Sequence, residues 1–114
     1  MPLSEITKAR VDSLLKVFCS QRIPLHAKSQ IKLCYEFRAN TVTLFEDRPV
    51  WNDKSKWTHS PVAQFRFDKE NLHWSLYCRD RNSKWHRFNP APSTPSFESL
   101  VAEVDKDSTG IFWG

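Results

Sequence analysis

The stretch RDRNSKWHRF at residues 79–88 interleaves Arg79, Arg81, Lys84, His86 and Arg87 with two aromatic rings. Basic groups meet phosphates and rings stack on bases, so this mixture suits single-stranded nucleic acid. On the strand pairing set out below, one sheet face collects Gln64, Arg66, His73, Ser75, Tyr77, Lys84, His86 and Phe88. The same set suits a protein interface or a plain solvated face. Asp80 and Asn82 are turn formers, and Arg79, Arg81 and Lys84 then make a cationic loop tip. Such a tip is either solvated or placed against phosphate or an acidic protein.

A second group is Glu46, Asp47 and Arg48. The expected hairpin turns Glu46 toward the core, where a carboxylate needs a partner. Arg48 is one candidate and Arg87, across the sheet, is another. Two roles stand open: an ion pair that fixes strand order, or a polar anchor at the floor of a small-ligand cleft walled by Trp51 or Trp57. No motif for acid–base catalysis accompanies the group.

His26, His59, His73 and His86, with Cys19, Cys34 and Cys78, lack zinc-ligand spacing, so neither a metal nor a cofactor is expected. There is no phosphate-binding glycine loop, no dinucleotide fingerprint and no nucleophile elbow. A familiar type of enzyme is therefore not indicated.

These residues need elements to hold them. Residues 3–24 show apolar positions at helical spacing, with Ile6, Arg10, Leu14, Val17 and Phe18 on one stripe, Ser4 as cap and Pro24 as stop. QIKLCYEFR and TVTLFEDR alternate with period two and form a hairpin about Ala39-Asn40, pairing Phe37 with Val42, Tyr35 with Leu44 and Leu33 with Glu46. Residues 49–61 read as a loop bracketed by prolines. VAQFRF, LHWSLYC and KWHRF read as a meander. Its first turn pairs Phe65 with Trp74. Its second turn, Arg79 to Asn82, puts Trp85 opposite Leu76 in the core. Ser96 caps a last helix with Phe97, Leu100, Val101 and Val104 inward.

Short connections imply antiparallel pairing. The expected fold is therefore α+β: an antiparallel sheet of about five strands, built as a hairpin plus a meander, with N- and C-terminal helices on one face. A chain of 114 residues is expected to form one domain, spanning 1–114. Its net charge of +4 permits an acidic partner without requiring one. Three widely spaced cysteines, no leader-like start and no membrane-length apolar run point to a reduced, cytoplasmic protein. The terminal Ile111, Phe112 and Trp113 would be an apolar patch if free, so Phe112 and Trp113 are expected to plug the core edge beside the last helix.

Four blocks, VTLFEDRPVW, PVAQFRF, WSLYCRDRNSKWHRF and DSTGIFWG, together resemble the bacterial domain-of-unknown-function family 3024. The resemblance implies a bacterial, single-domain protein and imports no catalytic residues. The expected function is binding. A protein partner or self-association as a homodimer comes first, nucleic acid on the open sheet face second, and an enzymatic or ligand cleft near Glu46 third.

Overall fold

A computed structural model describes residues 3–23 and 30–113. Pro24 and His26 lie outside the described residues. Two helices flank five strands in the chain: α1 (Glu5–Arg22), β1 (Lys32–Arg38), β2 (Thr41–Val50), β3 (Asp53–Asp68), β4 (His73–Arg79), β5 (Trp85–Arg87) and α2 (Phe97–Lys106). The strands form one antiparallel sheet in the order β1-β2-β3-β4-β5. The class is α+β. No described helix is long and apolar enough to cross a membrane.

Both helix starts follow from their caps. The Ser4 hydroxyl accepts the Thr7 N–H at 3.2 Å, and the Ser96 hydroxyl accepts that of Ser99 at 3.2 Å. The buried stripe of α1 differs from the expected one. Val11 and Leu15 are buried, while Ile6 and Val17 are 79% and 54% exposed. Partners on other elements set the helix's rotation: Tyr35 Oη donates to Asp12 Oδ1 at 2.6 Å, and the Arg22 guanidinium lies 4.5 Å over the Trp113 ring. Arg22 also pairs with Asp105 at 2.6 Å.

The core joins Val11 and Leu15 to Val42, Leu44, Ala63, Phe65, Trp74, Leu76 and Cys78 of the sheet, and to Phe97, Leu100 and Val104 of α2. The C-terminal segment completes it. Phe112 is buried with its ring 5.1 Å from that of Phe88. Asp107, left-handed at φ 45°, accepts the N–H groups of Phe112 and Trp113 at 3.1 and 3.0 Å. Trp113 Nε1 donates to the Val104 carbonyl at 2.7 Å. Ile111 stays 45% exposed.

The β1–β2 register is the expected one. The left-handed residue of its turn is Ala39, at φ 53°. Asn40 instead donates to the Phe67 carbonyl at 2.6 Å, tying this turn to β3. The β3–β4 pairing slides two residues from expectation, to Phe65↔Leu76 and Phe67↔Trp74, because β3 runs on to Asp68. A shift of two keeps every side chain on its face.

The last hairpin differs by an odd number. Arg79 is still strand and pairs with Trp85, and Tyr77 pairs with Arg87. Asp80 starts the turn: its carboxylate accepts the N–H groups of Asn82 and Lys84 at 2.8 and 2.9 Å, and Ser83 is left-handed at φ 66°. Trp85 and Arg87 therefore point away from the core. Phe88 is buried, Lys84 lies in the turn, and His86 shares a side of the sheet with Cys78.

Residues 49–61 are not a loop. β2 continues to Val50, turns at Trp51-Asn52 and returns as the first half of β3. The pairing slips twice: near the tip, between Pro49↔Trp57 and Val50↔Asp53, and in mid-strand, where Leu44 faces Ala63, Phe45 faces Pro61, and Val62 is the extra residue of a bulge. Proline, lacking an N–H, is tolerated at such a point. Val62 and Ala63 are both buried, and beyond them the alternation of β3 is reset. Pro61, His59 and Trp57 thereby share a face with Phe45, Asp47 and Pro49.

Candidate functional site

The sheet face opposite the core carries two groups of side chains. The first lies on β3, β4 and β5. Arg66 stands opposite Ser75, Gln64 opposite Tyr77, Tyr77 opposite Arg87, and Arg79 opposite Trp85. The Arg66 guanidinium sits 3.8 Å from the centre of the Tyr77 ring, and its Nε donates to Gln64 Oε1 at 2.7 Å. Gln64 Nε2 donates in turn to Thr43 Oγ1 at 3.1 Å. An open groove of about 660 Å³ continues past Arg66 to Thr41, Thr43, Phe45 and Arg38. His73 is on the same face at its far end, opposite Asp68.

The second group lies on β1, β2 and the returning arm of β3. His59 is bracketed by carboxylates: Nδ1 is 2.5 Å from Asp47 Oδ1, and Nε2 is 3.0 Å from Glu36 Oε2. Those two hydrogen bonds raise the His59 pKa above the ordinary imidazole value. The Phe45 ring is stacked on the imidazole at 3.9 Å. Cys34 Sγ donates to Asp47 Oδ2 at 3.6 Å. Burial first, and the Asp47 carboxylate second, push the Cys34 thiol up to about 11. Cysteine, histidine and aspartate are thus adjacent, but the thiol faces a carboxylate and both imidazole nitrogens face carboxylates. No general base stands ready to take the thiol proton, and this is not an activated nucleophile. Lys32, opposite Asp47 in register, has its ammonium over the Trp57 ring at 4.7 Å.

The residues expected to form a cleft do not come together. Glu46 pairs with Arg48 of its own strand, Nε to Oε1 at 2.8 Å and the second nitrogen to Oε2 at 3.4 Å. Arg87 is on the opposite face of the sheet and is not its partner. Trp57 also lies on the other face, and Trp51 stands at the hairpin tip, 90% exposed. Glu46 therefore gains neither wall. Of the cationic tip, Arg81 and Lys84 are exposed in the turn, while Arg79 lies in β4 beside Trp85. His86 is held by Asp80 at 2.5 Å.

The Cys34–Asp47–His59 grouping escapes a reading by sequence spacing, since its members are 13 and 12 residues apart. Half of it was accessible: the β1–β2 register places Cys34 and Asp47 on one face. His59 was hidden by the assignment of 49–61 to a loop. Over residues 3–114 the chain matches the family described as "Domain of unknown function (DUF3024)". No curated protein and no solved structure matches it.

Proposed function

Because the chain belongs to the DUF3024 family, whose description assigns no activity, we propose a function from its own geometry: binding of single-stranded nucleic acid across the sheet face opposite the core. The observation that carries it is the band of Arg66 on Tyr77, Arg87 beside Tyr77 and Arg79 beside Trp85. Guanidinium groups take phosphates, and the two rings offer faces on which bases stack, whatever their sequence. Arg38 extends the cationic track along the groove. The chain's charge of +4 is compatible with such a partner. The setting is a bacterial cytoplasm, with which the three free cysteines agree.

Fluorescence anisotropy with labelled single-stranded oligonucleotides across a salt series tests this. Substituting Arg79 and Arg87 by Gln together should weaken binding to every sequence. It should also reduce the salt slope by about 1.4, at roughly 0.7 per phosphate contact on a single strand. No binding at low salt, or an unchanged slope, overturns the proposal.

Contact with a protein, or with a second copy, is favoured by a different observation. β4 pairs only with residues 63–68 of β3, so among the described residues the edge of the arm at 53–62 carries no strand, and Trp51 stands exposed at its tip. Light scattering on wild type and Trp51→Ser measures self-association: a dimer lost in the variant supports this second function, and a monomeric wild type removes the self-association.

A further inference from the structure

We infer that Cys34, Asp47 and His59 form a binding site for a borderline divalent transition ion, with zinc the best match. One donor atom from each of the three lies within 4.8 Å of the other two. A tetrahedral centre with bonds of 2.0–2.3 Å sets its ligand atoms roughly 3.3–3.8 Å apart, so small rotamer adjustments suffice. The donors are thiol sulfur, imidazole nitrogen and carboxylate oxygen. That set favours zinc over magnesium or calcium, which take oxygen ligands.

The surroundings are those a metal-binding histidine needs. If Nδ1 binds the ion, Nε2 already has its partner in Glu36 at 3.0 Å, which fixes the tautomer and orients the ring. Phe45 stacks on that ring with an interplanar angle of 13° and sets its plane. All three donors are carried by neighbouring strands, where backbone pairing holds them more tightly than a loop would. Asp47 now bridges Cys34 and His59 through hydrogen atoms, one to each oxygen. An ion takes the place of those hydrogens: the thiol proton and the Nδ1 proton pass to solvent, and three bonds to the metal form. Three protein ligands leave a fourth position, open to solvent on the His59 side, for water or a substrate atom.

Cobalt(II) titration of the full chain, reduced and stripped of metal, tests the site. The expected result is one equivalent bound, with a thiolate-to-cobalt charge-transfer band and tetrahedral ligand-field bands, both bleached by one equivalent of zinc. Cys34→Ser should abolish the charge-transfer band. His59→Gln should weaken binding at least tenfold, and Glu36→Gln about 10- to 100-fold. Absence of the band in wild type, or its survival in Cys34→Ser, which would move the ion to another cysteine, overturns the inference. Should a variant fail to fold by circular dichroism, X-ray absorption on the zinc-loaded wild type decides. One sulfur with nitrogen and oxygen neighbours supports the site, and any other sulfur count overturns it.

Discussion

On one side of the Val62 bulge, β2, β3 and β4 bury alternate residues completely: Val42, Leu44, Ala63, Phe65 and Leu76 are at 0% exposure. On the other side, from residue 45 to 61, no described residue is buried. There the sheet holds its shape through His59 between two carboxylates, Phe45 stacked on His59, Lys32 over Trp57 and Glu46 on Arg48. Exposed contacts of this kind contribute little individually, up to about 1 kcal/mol each. The buried half therefore supplies stability and can present arginines and rings on its free face without depending on them. In the arm, the side chains that keep the structure are the same ones that carry chemistry. A ligand that rearranged them would change the arm more readily than the core.

The contrast can be broken most severely from the buried side. Phe112→Ala should lower unfolding free energy by about 3–5 kcal/mol in urea denaturation, because the ring fills the core beside Phe88. Trp51→Ser, at the tip of the arm, should stay within about 0.5 kcal/mol in the same measurement. Next in size, Trp85→Ala should cost about 1–3 kcal/mol of oligonucleotide affinity, or roughly 5- to 150-fold in anisotropy titrations. Its melting temperature should change far less than that of Phe112→Ala. Glu46→Gln should cost at most about 1 kcal/mol, since Glu46 and Arg48 are 21% and 56% exposed. Asp47→Asn, which weakens the hold on both His59 and Cys34, should speed amide hydrogen exchange across 45–61 without matching changes in the core. Equal exchange in both variants would mean that the arm does not rely on this cluster.

The smallest effect is one of pH at the last turn. The N–H of Lys84 first, and His86 second, hold the Asp80 carboxyl below its ordinary value of 3.8. A lowered folded-state pKa means stabilisation that is complete above the unfolded value and lost as pH falls through the folded one. The amide signals of Asn82 and Lys84 should therefore shift as pH is taken below about 3.8, and in Asp80→Asn they should not.

Much of this was legible in the sequence. Ser4 and Ser96 announced the helix starts, the alternation of 30–48 set the first hairpin, and the terminal Phe112 and Trp113 were apolar enough to require a place in the core. The chemistry of the outer face was read less well, because it depends on where strands end. Asp80 and Ser83 decide the last turn through a side-chain cap and a left-handed residue, and Asp80 and Ser83 are also ordinary surface residues. Five residues, 80–84, separate the last strand pair where the expected turn has four, 79–82, and this odd change puts Trp85 outward and Phe88 inward. Prolines 49 and 61 suggested a loop, yet Pro61 sits beside the bulge and Pro49 stays paired with Trp57. The error on α1 had another cause: Asp12 and Arg22, polar residues, fix its rotation through Tyr35 and Trp113.

Val62 has a genetic consequence. It is not one of the cluster's hydrogen-bonding residues, but by standing outside the ladder it lets His59 face the side of Asp47. An in-frame loss of that one codon would leave Cys34, Glu36, Asp47 and His59 all present in the translated chain. It would also close the bulge into a regular ladder, with Ala63 on Leu44, Pro61 on Phe45 and His59 still opposite Asp47. Among relatives, then, the four residues can carry the site whether or not this extra codon is inherited with them. The spacing between His59 and Phe65 can shorten by that one codon without moving the histidine to the other face of the sheet.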